Sequence, residues 1–391
     1  MKKYRLASLT FLTLSLFSSV AAHGQDYQTP IEQGLADSDI DVSELSIDEL
    51  LERFNVPGVS IAVIRDFDIH WAKGYGIADV ESGAAVNTET LFQAASISKP
   101  VNAMALLKAA EEGRFSIDED VNKLLSSWQI PESEHTESAF VTPRMLASHT
   151  SGLGDGLGFP GYEPQVALPS LPQIFDGAEQ SNVGMVRMAR PPMTAYHYSG
   201  GGVTILQQLL LDTYDKPYAE LLQEMVLGPI GMSSSTFAQP LPVDRDSNAA
   251  RAHGISGAAM GPKWHVYPEL AAAGLWTTST DLAKFAIEVQ LSYRNHSNKV
   301  LSQASTNEML SPVGVGPFAV GFSLSKRGEG WYFAHGGSNW GFQAQLTAHK
   351  VNGYGYAIMT NGFMGGQLIA ELSRRIEASY AFDSLAEPVL R

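Results

Sequence analysis

Strand-like segments crowd the two ends of this chain, and the text from Ala95 to about Leu310 reads mostly as helix and long loops. Near the start, Val59-Ser-Ile-Ala-Val-Ile64 is apolar but for Ser60 and reads as a buried strand. Ile69 to Tyr75 reads as its hairpin partner across residues 65–68. Near the other end, segments 319–326, 331–335, 342–349 and 354–360 are short, alternating and punctuated by glycine, and Asn352-Gly353 marks a hairpin. Helical spacing appears at Ile47 to Phe54, at Ala103, Leu106, Leu107 and Ala110 before a stop at Gly113, and at 368–380. The expected fold class is therefore α+β. The terminal parts, about 45–92 and 315–391, form one antiparallel sheet flanked by helices, and about 93–314 form a mostly helical subdomain inserted into it. A pocket is expected where the two parts meet. Residues 151–173, rich in glycine and proline, read as a long surface loop and a functional rim. Residues 25–43 are polar and acidic and read as a loose lead-in.

Composition removes several functions. The chain of 391 residues is 44% hydrophobic, enough for a sizeable core, and has no cysteine, so disulfides, thiolate metal sites and a cysteine nucleophile are excluded. A formal net charge of −15 argues against a nucleic-acid partner, which needs a basic surface. Lys2, Lys3 and Arg5, an apolar run from Leu6 to Val20, and small residues after it read as a signal peptide, residues 1–22. The mature part, 23–391, is then expected in a bacterial periplasm or secreted, with no stable membrane anchor once the leader is cleaved.

The chemistry is concentrated in a few places. Ser96-Ile-Ser-Lys99 is an S-x-x-K tetrad, and Ser323-Leu-Ser-Lys326 is a second. On a helix, residues i and i+3 share a face; on a strand they point to opposite faces. Ser96 opens the helix that carries Leu106, so Lys99 can reach its hydroxyl, whereas Lys326 points away from Ser323. The helix start also offers free N–H groups to a developing oxyanion. In isolation such a serine is a helix cap and such a lysine a surface charge. An activating base is needed, and Lys99 can serve only with its pKa well below the usual ~10.4. Tyr198, before the Gly200-Gly-Gly202 turn, is the best second helper. The turn Ala334-His335-Gly336-Gly337-Ser338 ends a strand and lets a ligand approach the backbone, where the N–H of Ser338 can join that of Ser96. His149, His253 and His265 lack metal-ligand spacing and read as structural. Asp155 reads as a loop contact, Asp281 as a helix N-cap, and Trp276, Trp331 and Trp340 as core. No cofactor and no metal are expected.

Taken with their surroundings, these residues resemble the serine β-lactamase and penicillin-binding-protein superfamily, in its class C β-lactamase-related branch of esterases and peptidases. The segment Leu91-Phe-Gln-Ala-Ala-Ser-Ile-Ser-Lys-Pro100 is similar to the family's nucleophile segment, and Leu146-Ala-Ser-His-Thr-Ser-Gly-Leu153 to its "LLSHTSGL" block. Leu227 to Met232, Ala271 to Leu275 and Thr278 to Ala283 resemble later blocks, in the family's order. The resemblance covers about residues 50–362. It implies a β-lactamase/transpeptidase-like fold, with Ser96 acylated, Lys99 as general base or proton shuttle, and Tyr198 assisting proton transfer. It also implies His335, Gly336 and Gly337 in place of the K-T-G strand motif, with Ser96 and Ser338 N–H groups as the oxyanion hole. Which of Lys99 and Tyr198 takes the proton stays open.

Two departures narrow the expectation. The family's Y-x-N asparagine is Gly200 here, and its K-T-G lysine is His335. Both should weaken recognition of β-lactams and D-alanyl peptides more than acyl transfer itself, since a neutral imidazole binds a carboxylate less well than an ammonium. The expected activity is an exported serine hydrolase cleaving a small-molecule or peptide substrate at an ester or amide bond. A true β-lactamase or D-alanyl-D-alanine carboxypeptidase, and a non-catalytic binder of cell-wall peptides, are the alternatives.

Overall fold

The computed structural model of the chain describes residues 26–35, 41–137, 139–156, 158–328 and 330–383; the expected leader lies outside them. The strands are β1 (Gly58–Arg65), β2 (Asp68–Asp79), β3 (Ala84–Ala85), β4 (Phe92–Gln93), β5 (Trp276–Thr277), β6 (Ser323–Arg327), β7 (Gly330–Asn339), β8 (Phe342–His349) and β9 (Gly355–Thr360). The helices that matter below are α1 (Ile47–Phe54), α2 (Ser98–Glu111), α3 (Pro143–Ala147), α4 (Gly200–Tyr214), α5 (Leu270–Ala273), α6 (Ser279–Tyr293) and α7 (Gly365–Ser379).

Seven strands form one sheet in the order β3-β2-β1-β9-β8-β7-β6. The first and last strands of the chain meet in its middle, antiparallel, with Val59 opposite Thr360 and Ala62 opposite Ala357. The largely apolar text of β1 follows from this position, because both of its faces are covered. Val59, Ile61 and Val63 pack with Leu368, Leu372 and Ile376 of α7. Ala62 and Ile64 belong to the larger core on the opposite face, with Phe285 of α6 and Phe333 of β7. The fold is α+β with flanking helices, as the sequence implies, and the text from 93 to 314 supplies the helical body beside the sheet.

Local signals explain most boundaries. Ser46 and Glu49 form a reciprocal capping box before α1, and Asn55 closes that helix at φ +52. The β8–β9 connection turns through Asn352-Gly353. α2 is buried on almost every side from Ser98 to Leu107 and ends ahead of Gly113, at φ +72.

Several expectations change. The lead-in is not loose throughout: Gln28–Gln33 is helical, Ile31 is buried, and the buried guanidinium of Arg375 on α7 donates to the carbonyls of Ile31 (3.1 Å) and Val42 (2.8 Å). Segment 319–326 is strand only from Ser323, because Ala319 turns back to bond Phe322 O at 2.8 Å. Residues 200–202, expected as a turn, are already helix: α4 starts at Gly200, because Ser199 caps it by accepting from the N–H of Gly202 at 2.8 Å. Thr278, not Asp281, caps α6; Asp281 instead accepts from Ser234 N–H and from the Ser235 hydroxyl. Trp276 is fully buried, Trp340 stacks on His265 at 3.9 Å, and Trp331 stands 44% exposed on β7 rather than in the core.

One mismatch in strand length prepares the site. β6 pairs with β7 only as far as Ala334, whereas β8 follows β7 to Asn339. The stretch His335–Asn339 is therefore an edge that faces the helical body. Asn339 pins its end by donating to Gln93 Oε1 (3.0 Å) and Ala273 O (3.1 Å).

Candidate active site

Between Leu91 and Pro100 every residue is buried except Ser96, which is only partly so. It sits in a 3-10 turn, Ala95–Ile97, immediately before α2, with Ala95 at φ +50. An L-residue at positive φ is strained and persists only where its surroundings hold it. Here the turn is clasped by β7: a Cβ placed on Gly337 would lie 2.2 Å from Ala94 O.

Lys99 is in the first turn of α2 and reaches back one turn, donating to Ser96 Oγ at 2.9 Å. Its second partner is Ala272 O of α5, at 2.8 Å. The ammonium is buried, and burial pushes its pKa down to about 7, with Asp155 pulling the other way. The second S-x-x-K is split as strand geometry demands. Ser323 Oγ donates to Ala334 O at 2.8 Å, while Lys326 is exposed.

Tyr198 lies in the segment entering α4. Its ring packs against His149 with centroids 4.2 Å apart and planes tilted by 30°, and Lys99 Nζ lies 5.0 Å from its centroid. Burial pushes the phenol well above its usual pKa of 10, opposed by its interaction with the Ser96 hydroxyl. His335, from β7, is 4% exposed; its Nδ1 lies 2.7 Å from Gly336 O, and Nε2 has no hydrogen-bond partner among the described residues. Burial, with Lys99 nearby, pushes its pKa down to about 3, so the imidazole is neutral at working pH.

Strand alternation orients the backbone of β7. Trp331 O accepts from Lys350 N, on the β8 side, so residues 333, 335, 337 and 339 also turn their peptide groups toward β8. Those of Gly336 and Ser338 then point to the free edge, where the Ser96 turn packs. The cleft between them has a volume of about 590 Å³ and runs from Ser96, Tyr198 and Phe318 around the edge to Gln343, Gln345 and Ile369. Among its lining residues there is no lysine, arginine, aspartate or glutamate.

Sequence reasoning assigned no catalytic neighbourhood to His149 and Asp155, yet His149 packs on Tyr198 and Asp155 bonds the residues beside it. His149 Nδ1 accepts from Ser199 N–H at 3.2 Å, and Asp155 accepts from the Ser199 hydroxyl and from Gly201 N–H. The signal for His149 was its place in the Leu146–Leu153 block; a lone Asp in a glycine-rich loop carries none. Among the described residues no group of His, Asp or Glu is placed to hold a metal ion. His253 and His265 bond the carbonyls of Asn361 and Pro160.

A sheet with flanking helices, a serine at a helix start and a lysine one turn on define the serine β-lactamase and penicillin-binding-protein superfamily, and the comparisons agree. The family model described as Beta-lactamase matches residues 46–380, and the chain belongs to that family. It is 22% identical over 319 residues to Protein flp of Staphylococcus aureus (strain MW2), covering 81% of this chain and 61% of that protein. It therefore spans about three fifths of the length of that curated relative. It is 24% identical over 344 residues to Penicillin-binding protein 4 of Amycolatopsis lactamdurans, covering 84% of this chain and 87% of that one. In fold it is similar to SurE, solved with D-Leu (TM-score 0.69, 20% identity, 88% of this chain and 76% of that one). It is also similar to an octameric penicillin-binding protein homologue from Pyrococcus abyssi (TM-score 0.66, 21% identity, 85% and 77%).

Proposed function

We propose that this protein is an exported serine hydrolase that cleaves uncharged carboxylic esters through an acyl-enzyme on Ser96. The carrying observation is the charge of the cleft. Lys99 is turned toward Ser96 Oγ and Ala272 O, His335 is held neutral by burial, and among the described residues no other cation lines the space. A substrate carboxylate would leave water and meet no compensating charge. The basic and apolar leader, Lys2 to Ala22, supports export.

The mechanism follows from the positions. Neutral Lys99 takes the proton of Ser96 as Oγ attacks the ester carbonyl. The oxyanion is received by the N–H groups of Ser96 and Ser338, a contribution of about 2.7–4 kcal/mol per donor. Tyr198 keeps its proton at working pH and passes it to the departing alkoxide, regaining one from the Lys99 ammonium. Water then attacks the acyl-enzyme along the same path in reverse, with Lys99 again the base.

Substrate charge tests this reading. Aryl esters differing only by a carboxylate at the end of the acyl chain should differ in kcat/KM by about tenfold or more, in favour of the uncharged one, as expected for about 1.5–3 kcal/mol of unpaired charge. Penicillin should leave no adduct on Ser96. An adduct, or faster turnover of the charged ester, would overturn the assignment and promote β-lactamase or D-alanyl carboxypeptidase activity.

The reaction should also carry an acid limb. Burial lowers the Lys99 pKa, so the base form appears as pH rises through about 7 and is lost below it. kcat/KM should fall about tenfold per pH unit below 6 and level off above 8. A flat profile from pH 5 to 8 would remove Lys99 as the base.

A further inference from the structure

We infer that Asp155 is a positioning residue for this hydrolysis, fixing Tyr198 through the residues on either side of it in sequence. The inference rests on the proposed acyl-transfer role of Ser96, Lys99 and Tyr198. Asp155 stands on the rim loop, beside the start of α4. Its Oδ1 receives the Ser199 hydroxyl at 2.5 Å and its Oδ2 receives Gly201 N–H at 2.8 Å. Its own carbonyl lies 3.1 Å from Nε2 of His197. The residues immediately before and after Tyr198 are thus both tied to Asp155. His149, just after α3, completes the clasp, with its carbonyl accepting from His197 N–H at 2.9 Å and its Nδ1 accepting from Ser199 N–H.

The Gly201 bond adds to the cap of α4, but the bonds to the Ser199 hydroxyl and, from the Asp155 carbonyl, to His197 go beyond a cap. Ser199 already caps α4 through Gly202, and the glycines of the first turn leave room for the carboxylate: a Cβ on Gly201 would approach the Asp155 carboxyl carbon to 3.1 Å. The consequence reaches Lys99. The titratable groups around that ammonium are Tyr198 on the α4 segment, His335 on β7, His149 after α3 and Asp155 on the rim loop. Tyr196 and His197 stand behind them, and Glu269 is buried at the start of α5. Both histidines bordering Lys99 are neutral, and Asp155 is the carboxylate that stabilises the ammonium. Glu269 is also buried, with its pKa pushed up to about 7, and so must be distinguished.

The test is the pH dependence of Ser96 labelling by a fluorophosphonate, and of ester hydrolysis, for wild type, Asp155→Asn, Asp155→Glu, Ser199→Ala and Glu269→Gln, each first checked by thermal melt. Asp155→Asn should slow labelling at the plateau about tenfold, with KM for the ester within about twofold, and should move the acid limb to lower pH. The sign follows from charge: without the carboxylate the ammonium is less stable and deprotonates earlier. Asp155→Glu should restore the limb. Ser199→Ala keeps the charge and should lower the plateau with the limb in place, so the positioning role stays testable if Asp155→Asn does not fold. An unmoved limb in a folded Asp155→Asn, or a limb that moves only in Glu269→Gln, would overturn the inference. Wild type without Ser96-dependent labelling at any pH would overturn the underlying reading instead.

Discussion

Ser96→Ala is expected to abolish fluorophosphonate labelling and to lower ester hydrolysis by about 10⁴-fold or more, on the scale seen when a serine nucleophile is removed elsewhere. The same substitution should leave the melting temperature within a few degrees of wild type. Ser96 Oγ accepts from Lys99 and interacts with the Tyr198 hydroxyl, and Lys99 keeps Ala272 O when it is gone. The surrounding turn is held by backbone contacts that the change does not touch: Ile97 N–H bonds Ala94 O at 3.1 Å, and Ala94 N–H bonds Leu275 O at 2.9 Å. Loss of activity with the fold intact therefore isolates chemistry from structure. Intact-protein mass after labelling, beside a thermal melt of both forms, makes the comparison. Hydrolysis within tenfold of wild type would remove Ser96 as the nucleophile, and with it the roles given to Lys99 and Tyr198.

How much of this was legible in the sequence depended on the range of the interactions involved. The β1 run, the Asn352-Gly353 turn and the Ser46/Glu49 cap are local signals, and the strands and helix they mark are where the spacing puts them. The choice between the two S-x-x-K tetrads was also local, since it needed only the difference between helical and strand periodicity. What failed to show depends on distant partners. Arg375 orders the lead-in from more than 300 residues away, so polar text at 25–43 carried no sign of a fixed helix. Asp155 has meaning only beside Ser199 and Gly201. The neutrality of His335 was expected from its ordinary pKa near 6.5, but its depth of burial, which drives the pKa to about 3, comes from the closing of β7 against the helical body.

Gly337→Ala should cost about 10²–10³-fold in kcat for a reason separate from the side-chain chemistry. The proposed oxyanion donors, Ser96 N–H and Ser338 N–H, belong to different segments that meet at Gly337. Its missing side chain lets β7 lie against the Ser96 turn; a Cβ there would stand 2.2 Å from Ala94 O, 3.1 Å from Ala94 C and 3.3 Å from Ala95 Cβ. These neighbours are backbone, or a methyl fixed to it, and cannot swing aside. The turn must withdraw from the strand, which opens the distance between the two donors and disturbs the strained Ala95. Overpacking of this kind also destabilises by about 1–3 kcal/mol. Gly336→Ala is the informative contrast. A Cβ there meets Gln345 Oε1 at 3.3 Å, the far end of a side chain that can rotate, and Ala344 O at an ordinary 3.9 Å, so the loss should be no more than several-fold. The two variants differ by one position along the same edge, and kcat for each, with melting curves, separates their effects. Equal losses would mean that the spacing between the Ser96 turn and β7 does not set the rate, and the oxyanion hole would have to be sought away from Ser338.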